Sequence, residues 1–332
     1  MKYDLCDPKN SRYCCDNVQT NTSNSGLDVV RGLSHHPKTL PSYYFYDQRG
    51  SELFEQICGL PEYYPTRTEQ GILAAYAQEI ANLTGNCDLV ELGSGSSRKT
   101  RILLDAYTRL QGQFTYIPID VSTTMLQATA LDLLADYPQL SIHALAGVYE
   151  IALHHLPPAL QQRLLIFLGS TIGNLSPQEE VIFLQQIEQS LSPGDYFLLG
   201  VDLQKDIATL TSAYNDSQHI TAEFNLNILR HLNYKFNGNF NPENFEHWAF
   251  YNQELHQIEM HLMSLENQVV KLCDLDLEIT VMARETIRTE ISRKFELTAL
   301  TKQLDDCGLP VQKIWQDGRG WFALVLCQKK EL

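Results

Sequence analysis

The sequence predicts an α/β protein in which a parallel sheet covered by helices carries an inserted α+β unit. Between Asp88 and Val201, short apolar segments alternate with amphipathic helical segments, and neighbouring parallel strands require such crossover helices. After Asp206 the pattern changes to one long helical segment and then to apolar–polar alternation, which is typical of antiparallel strands. A closing helix and strand fit a return to the parallel sheet. The antiparallel unit is therefore predicted to be an insertion.

The individual elements follow from apolar spacing. The run TEQGILAAYAQEIANL at 68–83 has helical spacing, and DLVEL at 88–92 is a short apolar strand that ends at a glycine. Alternation over 256–272 and 277–295 predicts the antiparallel strands. Further helices are predicted at 98–110, 124–136, 177–191, 220–233 and 292–307, and further strands at 114–119, 141–145, 164–168, 196–201 and 321–328.

Composition and charge make several classes of partner improbable. The 332 residues carry 25 Lys and Arg against 40 Asp and Glu, a net charge of −15, which disfavours nucleic acids and anionic membranes. No apolar run reaches the roughly 18 residues of a membrane span, and the N-terminus lacks the apolar core of a signal peptide. Residues 1–25 are predicted to be a flexible leader, because 7–25 are polar and rich in turn-forming residues.

The eight cysteines show no C-x-x-C spacing, and only Cys14 and Cys15 are close together. The sequence therefore predicts neither a zinc site nor a disulfide framework. The ten histidines lack metal-binding spacing as well. We expect a cytoplasmic protein that needs no metal ion and no obligate protein partner.

A glycine loop follows the first predicted strand, where the backbone can approach a ligand at a helix N-terminus. A tight strand–helix turn would explain Gly93 and Gly95 equally well without further support. Asp120 gives that support, because it ends the second strand 27 residues after Gly93. A carboxylate there can accept both hydroxyls of a ribose.

The same loop disfavours a dinucleotide. Arg98 stands where the fingerprint G-x-G-x-x-G has its third glycine. A ligand with a ribose but no phosphates fits better, and S-adenosylmethionine is the commonest such cofactor on this fold. Lys99 either reaches the carboxylate of that ligand or is a solvated surface lysine.

Several specific motifs are spread from about residue 40 to the C-terminus. They are YFYDQRGS (44–51), LPEYYPTR (60–67), ELGSG (91–95), FLGSTIGN (167–174), AYND (213–216), FN (224–225) and TEISRKF (289–295). With these motifs in this order, the chain resembles the S-adenosylmethionine-dependent histidine Nα-methyltransferases, which make hercynine in ergothioneine biosynthesis. The strings PEYYPT and GSTIGN are specific, whereas the glycine loop alone is not.

The resemblance implies a class I, Rossmann-like methyltransferase domain that binds S-adenosylmethionine, at 68–205 and 292–332. It implies a substrate-recognition domain at 26–67 and 206–291. The implied contacts are Tyr63, Glu290 and Ser292 with the imidazole, Asn174 and Tyr214 with the α-carboxylate, Tyr46 and Gly169 beside the α-amino group, Met260 under the ring, and Gly93, Gly95, Lys99 and Asp120 with the cofactor.

One position departs from the family pattern. The second adenine contact in the family is an acidic–aromatic pair, which corresponds to Val148-Tyr149 in this chain. The acidic member is absent, so Tyr149 is expected to contribute by stacking.

The residue types suit a histidine substrate. Glu290 and Ser292 are two apart on a predicted strand, so they face the same side and can grip one edge of an imidazole. The residues alone also allow Glu290 to be a surface partner of Arg288 or Arg293, Met260 to be a core residue, and Tyr63 to be a packing residue of a rigid loop.

The implied reaction moves three methyl groups to the α-amino group of L-histidine, through its mono- and dimethyl forms. Transfer from a sulfonium needs no strong base, so we assign none, and Gly169 and Gly173 are expected to leave room around the nitrogen. Two alternatives remain, a methyltransferase for another aromatic amino acid and a non-catalytic cofactor-binding relative. Glu290 and Met260 disfavour an indole substrate, and the intact motifs disfavour loss of turnover.

Overall fold

The computed structural model describes residues 12–18, 25–95, 97–110 and 112–330. The helices are α1 (Leu27–Ser34), α2 (Gln48–Cys58), α3 (Tyr64–Thr84), α4 (Thr100–Leu110), α5 (Thr123–Asp136), α6 (Tyr149–Ala152), α7 (Pro177–Ser190), α8 (Ile207–Ser212), α9 (Ile220–Phe236) and α10 (Leu297–Asp306). The strands are β1 (Tyr13–Asn17), β2 (Lys38–Thr39), β3 (Cys87–Leu92), β4 (Phe114–Asp120), β5 (Leu140–Ala146), β6 (Gln162–Phe167), β7 (Tyr196–Asp202), β8 (Phe245–Asn252), β9 (Gln257–Ser264), β10 (Gln268–Leu272), β11 (Leu277–Val281), β12 (Thr286–Arg293), β13 (Val311–Gln316) and β14 (Phe322–Gln328).

The larger sheet has the strand order β1-β5-β4-β3-β6-β7-β14-β13. Its neighbours are parallel from β1 to β7, and β14 is antiparallel to both β7 and β13. One face is covered by α3, α4 and α5, and the other by α7 and α10. The prediction of a parallel sheet with helices on both faces is confirmed.

Successive strands explain why ligands would gather at one edge of this sheet. The chain runs outward from β3 to β4 and β5, and then returns across the sheet to place β6 on the other side of β3. Such a reversal of strand order opens a crevice at the carboxyl ends of the central strands. The loops after β3, β4 and β6 meet at this crevice.

The prediction of a leader without structure is wrong for its central part. Residues of β1 pair in parallel with β5, from Tyr13 opposite Ile142 to Asn17 opposite Ala146, and Tyr13 and Cys15 are buried in the core. Polar and half-exposed residues alternate with these two, so the segment has the composition of a polar loop. The remainder of the predicted leader, at 1–11 and 19–24, lies outside the described residues.

A second sheet has the order β2-β12-β9-β8, in which β8, β9 and β12 are antiparallel and β2 is parallel to β12. Strands β10 and β11 form a separate antiparallel pair. One hydrophobic cluster joins residues 29–64 with residues 210–287. The two segments assigned to one substrate-recognition domain therefore share a core, and the division into domains stays a prediction.

Two boundaries differ from those predicted. Strand β12 continues to Arg293 and α10 begins only at Leu297, so the expected helix over 292–307 starts too early. Strands β8 and β13 were not predicted, because β8 is rich in aromatic residues without clean alternation and β13 is mostly exposed.

Within the described residues, no helix combines the length and the apolar character that crossing a membrane would require.

Candidate active site

The glycine loop follows β3 in a conformation that favours glycine. Gly93 and Gly95 have φ angles of +68° and +48°, a region that side chains rarely adopt. A Cβ atom built at either position would have no atom within 4 Å. The backbone conformation therefore requires glycine, while the space beside the loop is open enough to admit a ligand.

Asp120 joins this loop to the end of β4. Its Oδ2 accepts the backbone N–H of Gly95 at 2.9 Å, and its Oδ1 accepts the N–H of Ser122 at 3.0 Å. A carboxylate has about four lone-pair positions, so both oxygens can accept further hydrogen bonds. The structure brings the loop and the acid together as the strand order predicts.

A buried acid, Glu91, lies two residues before Gly93, and the sequence analysis did not single it out. Glu91 lies near the end of β3 and accepts hydrogen bonds from the hydroxyls of Thr100 and Tyr116. Burial raises its pKa to about 7, while the two hydroxyls work against this shift. The available signal was a single acid inside the apolar run DLVEL.

Lys99 is not a solvated surface lysine. Its ammonium group pairs with the carboxylate of Glu69 on α3, and the Glu69 side chain is fully buried. The same carboxylate accepts the backbone N–H of Gly169, with N···O distances of 2.8 and 3.0 Å. Glu69 thus links the turn just before α4 to the loop after β6, and it is a second residue that the sequence analysis missed.

A small cavity lies between α2, α9 and the strands β9 and β12. The empty space at this cavity, including the part that is open to solvent, is about 270 Å³. It is lined by Phe54, Ile57, Tyr63, Ala213, Tyr214, Thr221, Phe224, Met260 and Glu290. Four of the residues that the sequence predicted to contact substrate, namely Tyr63, Tyr214, Met260 and Glu290, therefore meet in one place.

Strand pairing explains how two of these side chains come together. Glu290 on β12 stands directly opposite Met260 on β9, after a β-bulge between Arg288 and Glu290. Directly opposite residues of an antiparallel pair face the same side of the sheet. Met260 is 2 % exposed, so it is a core residue that also forms part of the cavity wall.

Glu290 forms no ion pair within the described residues, and Arg293, one of its suggested partners, pairs with Glu180 instead. Burial raises the pKa of Glu290 to about 7, and the ammonium of Lys294 acts in the opposite direction. The carboxyl group is therefore a proton-dependent acceptor inside the cavity.

The tyrosines around the cavity are neutral hydroxyl groups. Burial raises the pKa of Tyr63 and Tyr214 above the ordinary value, and the pKa of Tyr46 is raised in the same direction although this residue is 42 % exposed. Tyr46 packs edge-on against Phe54 and Phe224, with ring centroids 5.6 and 5.9 Å apart. These hydroxyls are suited to donate hydrogen bonds and are poor bases at neutral pH.

Ser292 lies two residues beyond Glu290 and contacts the cavity through Tyr214. The Tyr214 hydroxyl donates to the Ser292 Oγ at 2.8 Å. One residue predicted for the imidazole and one predicted for the carboxylate are thus neighbours in the structure.

Asn174 ends a short 3₁₀ helix, Thr171–Asn174, which follows β6. This turn packs closely on β12, since a Cβ atom at Gly173 would lie 2.9 Å from the carbonyl oxygen of Arg293. Gly173 therefore serves close packing, and the expectation that it leaves room for methyl groups is wrong. Gly169 differs, because a Cβ atom there would lie at ordinary contact distances, 3.4 Å from the Thr171 Oγ1 and 3.5 Å from the Lys99 Nζ.

Tyr149 is oriented toward the protein core. Its ring packs on Phe167 and Phe183, with centroid distances of 5.8 and 5.5 Å. A stacking role toward an adenine stays a prediction.

This fold, with an open glycine loop held to an acid at the end of the next strand, defines the chain as an α/β methyltransferase that uses S-adenosylmethionine. Its loop, the carboxylate of Asp120 and the cation of Lys99 fit the cofactor's ribose and carboxylate. More narrowly, the chain belongs to the family described as histidine-specific, S-adenosylmethionine-dependent methyltransferases, whose model matches residues 25–329.

Relatives of known name agree with this family. The chain is 43 % identical over 299 residues to a histidine N-α-methyltransferase of Mycolicibacterium smegmatis, covering 90 % of this chain and 93 % of that protein. It is 37 % identical over 201 residues to ergothioneine biosynthesis protein 1 of Neurospora crassa, covering 59 % of this chain and 23 % of that protein. It is also 28 % identical over 330 residues to an L-tryptophan methyltransferase of Psilocybe serbica, covering 90 % of each chain.

Proposed function

We propose that this enzyme transfers three methyl groups from S-adenosylmethionine to the α-amino group of L-histidine, giving hercynine for ergothioneine biosynthesis. The observation that carries the proposal is the cavity in which Glu290 faces Met260. A carboxylate beside an apolar side chain suits a ring that has both an apolar face and an N–H group.

In this proposal the two ends of histidine are bound by different groups. Glu290 and Ser292 hold the imidazole against Tyr63 and Met260. The neutral donors Asn174 and Tyr214 hold the α-carboxylate. Within the described residues, the side-chain amide of Asn174 has no hydrogen-bond partner, which supports its availability for a ligand.

The α-amino group then lies between Tyr46 and Gly169, next to the cofactor. Gly93, Gly95, Asp120 and Tyr149 are proposed to bind the nucleoside, and Lys99 its amino-acid end. The contacts of Glu69 with Lys99 and Gly169 support this arrangement. They hold the loop after β6, which is proposed to lie beside the amine, close to the residues that are proposed to bind the cofactor.

The cofactor, when bound, supplies an electrophilic methyl group on a sulfonium. The chain contributes position, and correct orientation is worth about 7–11 kcal/mol of barrier in favourable cases. Only the free amine carries a lone pair, so a proton must leave before each transfer. A neutral phenol is a poor proton acceptor, and the pKa values of Tyr46 and Tyr63 lie above the ordinary value, so in this proposal the proton passes to water and the tyrosines orient the nitrogen.

Repeated transfer requires the amine to turn while the rest of the substrate stays in place. Holding histidine by its ring and carboxylate leaves the Cα–N bond free to rotate. The missing side chain at Gly169 supplies room near the nitrogen. Mono- and dimethylhistidine are therefore substrates in this proposal.

A second candidate is N-methylation of another aromatic amino acid. The aromatic wall of Tyr63, Phe54 and Phe224 and the relation to an L-tryptophan methyltransferase favour it. The Glu290 carboxyl group argues against an indole, because an indole has only one N–H group and would leave part of the polar edge of the pocket without a hydrogen-bond partner.

A cytoplasmic location stays a prediction, supported by the absence of disulfides among the seven described cysteines.

The two candidates separate in one experiment. The chain is incubated with methyl-labelled S-adenosylmethionine and each of the twenty amino acids in turn. The masses of the products are then measured by mass spectrometry. We expect a product from histidine that carries three methyl groups. A product from tryptophan or tyrosine with none from histidine would replace the proposal by the second candidate, and no product from any amino acid would favour a non-catalytic relative.

A further inference from the structure

Lys294 is a buried cation in contact with Tyr214, one of the residues that line the cavity. Its side chain is 1 % exposed, and its ammonium lies 2.9 Å from the Oδ2 of Asp202, which is equally buried. The same ammonium donates to the Ser292 Oγ at 2.8 Å and to the Tyr214 hydroxyl at 3.3 Å. It therefore touches two side chains that are proposed to bind substrate.

The surrounding charges show that Lys294 does more than neutralise Asp202. Asp202 also pairs with Lys205 at 2.5 Å and accepts the hydroxyl of Tyr64. Removal of Lys294 would thus leave this carboxylate with a cation and a hydroxyl donor. One lysine is enough to neutralise the charge of this buried carboxylate, so charge balance alone does not explain the second lysine.

The pair of lysines is unequal. Burial lowers the pKa of Lys205 to about 8, although Asp202 raises it. Burial also disfavours the charge of Lys294, but Asp202 and Tyr214 outweigh this and hold its pKa above the ordinary value. Lys294 is thus the lysine of the pair that stays charged, and it is the one that contacts Tyr214, which lines the cavity.

Hydrogen-bond directions extend the argument to Ser292. A serine oxygen accepts two hydrogen bonds through its lone pairs and donates one. Lys294 donates to both the Ser292 Oγ and the Tyr214 oxygen, so it fills an acceptor position on each. In the proposed complex the Tyr214 proton, which points to Ser292 in this structure, turns to the α-carboxylate, and the Ser292 proton is left to donate to the substrate.

We propose that Lys294 is a positioning residue that makes Ser292 a hydrogen-bond donor to one imidazole nitrogen, while Glu290 accepts the N–H of the other. This assignment rests on the proposed function. A neutral imidazole has one donor and one acceptor nitrogen, so the pocket matches that form of the ring. Without Lys294, the Ser292 hydroxyl can turn and accept, and the match is lost.

The test is a double-mutant cycle between Lys294 and Ser292, since coupling energies isolate residues that act through one another. Histidine binding is measured by calorimetry with saturating S-adenosylhomocysteine for the parent chain, Lys294→Met, Ser292→Ala and the double variant. Steady-state KM and kcat are measured for the same set. Lys205→Met is the matched control, because it removes the other buried cation on Asp202 and touches neither Ser292 nor Tyr214.

Lys294→Met should raise the histidine Kd and KM by about tenfold or more, with a much smaller change in kcat and in cofactor affinity. In the Ser292→Ala background the same substitution should change Kd by less than about threefold. Lys294→Arg, which keeps the charge and donors, should recover part of the loss. Lys205→Met should leave the histidine Kd close to that of the parent chain.

Equal losses from Lys294→Met and Lys205→Met, or full additivity with Ser292→Ala, would overturn the proposal. Should circular dichroism show Lys294→Met to be unfolded, Lys294→Gln in both backgrounds takes its place under the same criteria. Absence of histidine binding by the parent chain would overturn the proposed function together with this inference. A failure confined to the cycle would overturn this inference alone.

Discussion

The backbone N–H of Gly169 donates to the buried carboxylate of Glu69, 100 positions earlier in the chain, at a distance of 2.8 Å. Glu69 also holds the ammonium of Lys99. One carboxylate thereby fixes the loop after β6 to the turn that leads from the glycine loop into α4. The proposed positions of the amine and of the methyl donor depend on this contact.

Glu69→Ala should destabilise the fold by about 1–3 kcal/mol, because a buried N–H and an ammonium lose their acceptor. Urea unfolding measures the loss. Glu79→Ala is the matched control on the same helix, since Glu79 is 43 % exposed and its pair with Lys313 spans 3.4 Å; it should change stability by less than about 0.5 kcal/mol. Equal stability of the two variants would show that Glu69 does not join the loops.

Asp120→Asn should weaken the binding of S-adenosylmethionine by about 1.5–3 kcal/mol, which is roughly 10- to 150-fold in Kd. The amide keeps one acceptor for the N–H of Gly95, so the loop should remain folded while the charged contact to the ribose is lost. Calorimetry of cofactor binding provides the measurement, with exposed Asp136→Asn as the control. An unchanged Kd would remove Asp120 from the cofactor site.

Much of the methyltransferase fold follows from local pattern. The alternation between Asp88 and Val201 determines which segments are strands, and parallel strands require the crossovers that bring Gly95 and Asp120 to one edge. Because side chains alternate between the two faces of a strand, Glu290 and Ser292, two residues apart on β12, lie on the same face. These inferences need no knowledge of distant contacts.

The missed features depend on distant partners. Glu69 looks like any acid on an amphipathic helix, and its partners lie 30 and 100 positions away. Strand β1 is recognisable only once β5 offers an edge to pair with. The adenine contact of Tyr149 stays a prediction. The ring of Tyr149 packs on Phe167 and Phe183, and this packing depends on how α6 and α7 meet the sheet, which local sequence does not determine.

Substrate choice should depend on Glu290 and Met260 together. Glu290→Ala should lower kcat/KM for histidine by at least about tenfold, because a site built to hydrogen-bond a ring loses most when that bond is unmade. Combined replacement with Met260→Ala enlarges the cavity and should admit larger aromatic amino acids, as measured by competition between histidine and tryptophan. Met260→Ala alone is the control for added volume, and full histidine activity in Glu290→Ala would exclude the proposed ring contact.

The raised pKa of Glu290 gives a stability prediction with a definite sign. Burial raises this pKa from its ordinary value of 4.5 to about 7 in the folded chain. The group's contribution to stability is therefore complete below about pH 4.5 and is lost as the pH rises through about 7. Glu290→Gln cannot ionise and should gain stability relative to the parent chain between pH 5 and 8.

Urea unfolding without ligands at pH 5 and pH 8 measures that gain. The exposed variant Glu254→Gln should show the same difference from the parent chain at both pH values. A Glu290→Gln difference that stays constant between pH 5 and 8 would mean that Glu290 is already ionised in the folded chain, as for an exposed acid.

The position of the transferred methyl groups can be read from the product itself. Histidine is converted with ¹³C-methyl-labelled S-adenosylmethionine, and the product is analysed by NMR. If the ring is held at Glu290 and the amine faces the cofactor beside Gly169, a single trimethylammonium signal on the α-nitrogen should appear, with both ring nitrogens unmodified. Labelled methyl groups on the imidazole, or a product that stops at one methyl group with cofactor in excess, would contradict this mode of binding.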